Sequence, residues 1–306
     1  IRDPIPSRVL GDVYKRQQFI YQDGYSPQGI YEVLSVLKDQ EIYSKQLAER
    51  RGQEPRSYHG VFASHPSNDK RLQEVLNNVS NSFQKGNQKK NDTYLQKIEG
   101  MVFGDSEQSG IRRGTEFFHG PLNLYLASPK TWEIINTPNQ LIFSSPSGEA
   151  VLQMTLEDLN FKETPEEYLK RFAPYTFEDQ SLNVNGYDGF TAKVNRSGRL
   201  TRMGVIFKND QVFQFIGYTK DQRFDLSAYD VQFLQIMKSL RSLKKEEQPL
   251  SKPLRLRSYK VKKGDTYKSL AAISSININA EDQLRLINGD YPDKKLEIGR
   301  VIKIVN

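Results

Sequence analysis

Hydrophobic positions along the chain fall into blocks of two different periods. In the N-terminal block Ile30, Val33, Leu34 and Leu37 recur at i, i+3, i+4 and i+7, which is one face of a helix. Ser26-Pro27 ahead of them supplies an N-cap and a proline for the first helical position. Gly52 and Pro55 end this helical region. A second helix is expected after Pro66, with Leu72, Val75, Leu76 and Val79 on one face. Residues 80–92 (SNSFQKGNQKKND) are polar and read as a linker or long loop, and residues 94–101 as a short helix closed by the Gly104-Asp105 turn.

The pattern then changes. Residues 122–127, 140–144 and 150–155 read as strands between Pro, Gly and Ser turns. Thr164-Pro165-Glu166-Glu167 is a capping box with proline at the first helical position, so a helix starts there. Residues 187–195, 200–208 and 211–219 form three strands joined by Arg196-Ser197-Gly198 and Lys208-Asn209-Asp210, both short enough for hairpins. A last helix carries Phe233, Ile236, Met237 and Leu240 and is expected to pack on one face of the antiparallel sheet. Residues 244–253 (KKEEQPLSKP) are charged, hold two prolines and read as a hinge. Residues 259–306 read as strand, helix, helix, strand.

The fold class is therefore multidomain α+β. The expected organisation is a helical region over 18–80, a linker and short helix over 81–116, an antiparallel-sheet α+β domain over 117–243, a linker over 244–257 and a small βααβ module over 258–306. Residues 1–17 stand apart. VLGDVYKRQ at 9–17 resembles a recurrent spurious translation at the ends of environmental sequence reads, so this segment is expected to be foreign and the chain a fragment that has lost its true N terminus.

Composition narrows the chemistry. The 306 residues contain no cysteine, which excludes disulfides, cysteine nucleophiles and Cys–zinc sites. The histidines are His59, His65 and His119, and no two lie at i and i+4, so this chain cannot build a helical HExxH zinc site. No run approaches the ~18 apolar residues of a membrane span. The net charge of +7 favours anionic partners but is spread over many segments. No RNP aromatic pattern, helix-turn-helix or zinc-finger spacing accompanies it, so nucleic acid is not an expected partner. Glu157, Asp158, Glu163, Glu166 and Glu167 read as a solvated, cap-rich stretch rather than a catalytic carboxylate pair. Trp132, the one tryptophan, reads as a core anchor, and His119 receives no role.

Three resemblances follow from particular residues. Tyr259-Lys260-Val261-Lys262-Lys263-Gly264-Asp265-Thr266, then Leu270-Ala271, Leu284, Leu286-Ile287-Asn288, Leu296, Ile298-Gly299 and Val301-Ile302-Lys303-Ile304, resemble a LysM module. That family has a βααβ fold and binds N-acetylglucosamine-containing glycans such as peptidoglycan. The resemblance implies a groove between the first strand–helix loop and the second helix–strand loop. By position the groove takes Gly264, Asp265, Thr266 and the turn from Ile287 to Tyr291, with Asn288 in it. Asp265 and Thr266 are also good capping residues, and Asn288-Gly289 a good helix stop, so a purely structural role stands beside sugar contact.

Asp23-Gly24-Tyr25-Ser26-Pro27, then the run Tyr58-His59-Gly60-Val61-Phe62-Ala63-Ser64-His65-Pro66, Arg71-Leu72 and Met101-Val102-Phe103-Gly104-Asp105-Ser106 resemble the closing part of a zinc metallopeptidase. The family is the HtpX and CAAX-prenyl-protease group, and the likeness spans residues 18 to about 114. It implies zinc and a protein substrate in the complete protein, with His65 and Arg71 in the shell around the metal. The HExxH helix and the downstream glutamate ligand are lacking, so no metal is expected in this chain and the fragment is expected to be inactive. Without those helices the face of Ile30, Val33, Leu34 and Leu37 is expected to be exposed and loosely packed. The middle domain resembles the PsbP-like α/β fold through Leu122, Tyr125 and Ser128-Pro129-Lys130-Thr131-Trp132.

Two functions compete on this reading. One is the trailing part of a cell-envelope zinc metalloendopeptidase. The other is a non-enzymatic peptidoglycan-binding adaptor. By resemblance both belong to the periplasm or envelope of a Gram-negative bacterium.

Overall fold

The computed structural model describes residues 28–50, 91–160, 162–196 and 198–306. His59, His65, Arg71, the helix expected after Pro66 and residues 1–17 lie outside the described residues. The chain divides into two compact units, Val102–Leu254 and a second that joins Arg255–Asn306 with the described residues before Val102. The architecture is mixed α and β with antiparallel sheets.

The middle unit begins with β1 (Val102–Phe103), β2 (Ile111–Arg113), β3 (Glu116–His119) and β4 (Leu124–Ala127); β2, β3 and β4 form a small sheet in that order. β5 (Glu133–Asn136), β6 (Leu141–Ser144), β7 (Ala150–Asp158), β8 (Thr176–Val184), β9 (Tyr187–Arg196), β10 (Arg199–Lys208) and β11 (Gln211–Thr219) form a seven-stranded sheet in the order β5-β6-β7-β11-β10-β9-β8. Two hairpins set its centre, with Arg199 opposite Arg196 and Lys208 opposite Gln211.

Each face of this sheet carries a helix. The helix Pro165–Phe172 begins at the capping box read from the sequence. The Thr164 hydroxyl accepts from the Glu167 amide, and the Glu167 carboxylate accepts from the Thr164 amide at 2.8 Å. It packs Tyr168 and Leu169 on Phe190, Ala192, Val194, Val205 and Val212. The helix Ser227–Lys238 covers the other face with Phe233, Ile236 and Met237 on Ile206, Phe213 and Phe215. Two glycines permit its close approach. A Cβ on Gly217 would stand 2.7 Å from the Phe233 ring, and one on Gly204 2.7 Å from Met237 Sδ. Trp132 is buried in the same core, edge-on to Phe233 at 5.8 Å between ring centroids.

The structure departs from the sequence reading in three places here. β8 is a full strand where none was expected; it lies at the sheet edge, is mostly exposed and has a bulge between Phe177 and Gln180, so it carries no apolar alternation. β2 and β3 begin before residue 117 and pair with β4 in a sheet of their own. Residues 244–253 are no open hinge, because Lys245–Ser251 is a 3₁₀ helix. Arg241 holds Glu247 through two bonds of 2.6 and 2.7 Å and lies 3.6 Å from the Tyr125 ring centre, and Arg113 donates to the Lys252 carbonyl.

In the other unit, helix α1 (Gln28–Arg50) and a short helix, α2 (Asn91–Ile98), accompany the C-terminal module. The module runs β12 (Leu254–Lys260), a helix Tyr267–Ile273, a helix Ala280–Asn288 and β13 (Val301–Val305). β12 and β13 pair antiparallel from Leu256 opposite Val305 to Lys260 opposite Val301. Leu270, Leu284, Ile302 and Val305 are buried inside it.

The face expected on α1 is only partly used. Leu34 is 3% exposed and Val33 is 61% exposed. The helix instead buries Tyr43 with Leu286 and Tyr291 of the module, and Ile42 and Leu47 pack beside them.

Candidate glycan-binding site

The loop that leaves β12 is short and is held by side-chain bonds at Asp265 and Thr266. Gly264 takes φ +93, a left-handed conformation in which a side chain is strained, so glycine is required at this turn. Of the two capping candidates, Thr266 is the cap. Its hydroxyl accepts from the Ser269 amide at 3.0 Å, and Ser269 Oγ accepts in return from the Thr266 amide. Asp265 closes the preceding turn. Its Oδ2 accepts from the Lys262 amide at 2.7 Å and from the Tyr259 hydroxyl at 3.0 Å. The bond to Asp265, followed by desolvation, raises the pKa of the Tyr259 phenol. Gly264 and Thr266 are exposed, with Lys262 and Lys263 beside them.

The second loop starts at Asn288. This side chain is committed on both ends. Its Nδ2 donates to the carbonyls of Leu284 and Lys303, and its Oδ1 accepts from the Lys303 amide, each at 2.8 Å. Asn288 therefore ties the helix end to the middle of β13. Gly289 follows with φ +68 and ends the helix, its N–H reaching the Arg285 and Leu286 carbonyls.

Sequence reading missed the polar centre behind this loop. Asp290 is buried, and its Oδ2 accepts from the Tyr267 hydroxyl and from Arg300 at 2.7 Å. Arg300 also donates to the Asn288 carbonyl at 3.1 Å, and Lys294 lies 3.5 Å from Asp290 Oδ1. Burial, then the bond to Asp290, pushes the Tyr267 phenol well above its ordinary value. Arg285 covers the Tyr267 ring at 4.7 Å and is held by Glu281. Acidic and aromatic residues in a turn read as solvated, and only the distant Arg300 marks this pair as interior.

Two further segments touch the module. Gly100 and Met101 pair with Leu256 along the edge of β12, and Glu99 accepts from the Ser258 amide and hydroxyl at 2.7 Å each. Those bonds lower the Glu99 pKa. Lys303 Nζ stands 6.0 Å from the Tyr94 ring centre of α2, and burial lowers its pKa. On the other side α1 reaches the second loop. Tyr43 lies edge-on to Tyr291 with centroids 5.9 Å apart, Tyr291 donates to Gln46 Oε1 at 2.6 Å, and Asn279 donates to the Tyr43 hydroxyl at 3.1 Å. Arg50 lies 3.5 Å from Asp282.

The structure thus describes Gly264, Asp265, Thr266 and Asn288 in the two loops expected to frame the groove, while His65 and Arg71 are outside the described residues. Among the described residues no three His, Asp or Glu side chains gather as a metal set. The described histidine, His119, has Nδ1 occupied by the Leu122 amide at 3.2 Å. These described residues do not fit a zinc centre. Among the described residues no helix is long and apolar enough to cross a membrane.

Comparison with known proteins agrees with the module. Residues 259–305 match the LysM domain family. No curated protein matches the chain at a significant level. Among solved structures, the cyanobacterial PsbP (CyanoP) of Synechocystis is similar at 10% identity and a TM-score of 0.32, over 53% of this chain and 98% of that one. LpqN of Mycobacterium tuberculosis, involved in cell envelope biogenesis, is similar at 11% identity and a TM-score of 0.25, over 48% of this chain and 95% of that one. Scores this low carry no argument about function. None of these findings supports the peptidase resemblance.

Proposed function

We propose that this chain is a non-enzymatic peptidoglycan-binding protein of the cell envelope, in which the LysM module takes N-acetylglucosamine-containing glycan between its two loops. One observation carries the reading. The 259–305 segment matches the LysM family and has the βααβ order, with the exposed Gly264–Thr266 loop on one side and the Gly289 turn on the other. Exposed Lys260, Lys262 and Lys263 add attraction to anionic wall polymers. That contribution is small, because much of the neighbouring basic run is already engaged. Lys252 and Arg257 face Glu107 and Glu99, and Arg255 donates to the Gly100 carbonyl. In this reading the middle unit binds or positions a partner, and no residue of it is assigned a reaction.

The proteolytic reading rests on the likeness of residues 23–27, 58–66, 71–72 and 101–106, and the HExxH ligands it requires are not in this chain. No described feature favours it, and it is not proposed.

The test is retention of the intact protein on purified peptidoglycan at low and at high salt. Retention at both salts is expected, with a modest loss at high salt as exposed charge is screened. Gly264→Val forces a branched side chain into the left-handed region and should lower retention while the Lys303 amide stays protected. Absence of retention at either salt overturns the proposal.

A further inference from the structure

The turn Gly289–Tyr291 frames the second side of the expected groove, and in this chain Gly289 is exposed while its Tyr291 end is buried. Helix α1 lies against it. A Cβ placed on Gly289 would stand 3.6 Å from Val36 Cγ2, so the half-exposed Val36 side chain flanks the turn. Two turns further along, Tyr43 meets Tyr291 edge to face, and both are only 8% exposed. The Tyr291 hydroxyl is already donated to Gln46. The helix also holds on beyond the groove through Asn279 and Asp282.

We propose that α1 is an intramolecular latch on the LysM module, covering the Gly289–Tyr291 side of its groove so that a glycan strand must displace the helix to bind fully. The proposal rests on the glycan-binding reading above. The contact has the composition of a latch rather than of a core. It consists of one aromatic pair, two hydrogen bonds between side chains, one exposed ion pair and the apolar fringe of Val36, Ile42 and Leu47. A contact of that size is released by a ligand with modest preference for the open form. It also reduces the apparent affinity by the fraction of molecules in which the groove is open. The opposite loop, Gly264–Thr266, remains exposed, so a first sugar contact is available before the latch lifts.

The experiment compares the full-length chain with Tyr43→Ala, Gln46→Ala and the double variant, using N-acetylglucosamine tetramer in calorimetry and purified peptidoglycan in sedimentation. Loss of the ring pair and its hydrogen bond should raise apparent affinity about tenfold in the double variant, with Gln46→Ala giving a smaller gain. Gln46→Ala leaves no cavity in the core, and protection of the Lys303 amide, held by Asn288, reports whether the module is folded in each variant. Equal affinity in wild type and folded double variant overturns the latch. Weaker binding by a folded variant also overturns it and makes α1 a wall of the site. Failure of wild type and all variants to bind either probe instead overturns the glycan reading, and the latch falls with it.

Discussion

In the middle unit a seven-stranded sheet buries Phe213, Phe215 and Ile206 under one helix and Phe190, Val194 and Val205 under another. In the C-terminal module two helices and two strands enclose a smaller apolar set, Leu270, Leu284, Ile302 and Val305 with Val261, Ile276 and Leu286, and one buried carboxylate, Asp290, lies among them. Asn288 bridges helix and strand there, and Asp290 gathers Tyr267 and Arg300. The difference follows from size. A unit of roughly fifty residues buries a smaller share of its surface than one three times larger, so fewer apolar contacts are available to fix its loops. Directional bonds fix them instead, and they do so at the loops that frame the groove. The middle unit fits its helix by omission, with glycine at 204 and 217 where any larger residue would collide.

Four measurements sharpen or break that contrast. The largest effect is expected in the middle unit, where Phe233→Ala opens a cavity against Gly217 and Trp132 and should cost about 4 kcal/mol. The single tryptophan makes its fluorescence melt a readout of that unit. Next, Asp290→Ala leaves the buried Tyr267 hydroxyl and Arg300 without their acceptor and should cost about 3 kcal/mol, read as loss of protection at the Lys303 amide. Asn288→Ala removes three hydrogen bonds and should cost roughly 2 kcal/mol, read at the Val261 amide, which keeps its Arg300 carbonyl acceptor. If trimming Ile302 to alanine proved several times costlier than either polar change, the module would be held like the middle unit and the contrast would fail.

The smallest effect concerns pH. Burial lowers the pKa of His119 below its ordinary 6.5. The unfolded chain therefore takes up a proton before the folded one does, and stability is full above about 6.5 and falls as pH drops beneath it, until the folded group also titrates. The tryptophan-detected melting temperature should decline slightly between pH 7 and 5. His119→Asn should flatten that slope.

Much of this was legible in the residues. The capping box at Thr164 and the hairpins at Asn209 and Gly198 lie where their short-range chemistry places them. So do the Thr266 cap, the Gly264 turn and the helix stop at Gly289. All of these depend on neighbours a few residues apart. What was not legible depends on distant partners. β8 is an exposed edge strand held by β9, and its sequence FEDQSLNV has no apolar alternation to announce it. The 3₁₀ turn after Lys244 is held by Arg241, which lies on the Tyr125 ring and clamps Glu247, and by Arg113 donating to the Lys252 carbonyl. On α1 the apolar series was followed through Ile30 and Leu37, while the contact surface continues through Val36, Tyr43 and Leu47. Only the position of Tyr291 singles those residues out.

The pairing of β12 with β13 has a mechanical consequence. The backbone groups of Arg255 and Asn306 bond each other at one end of the ladder, while the loops at Gly264 and Gly299 lie at the other. A protein tethered to a wall through those loops and pulled by the chain preceding Arg255 would feel tension along the strands rather than across them. The rungs from Leu256 to Lys260 would then share the load at once instead of parting one after another. Even a module this small could hold against a steady tug.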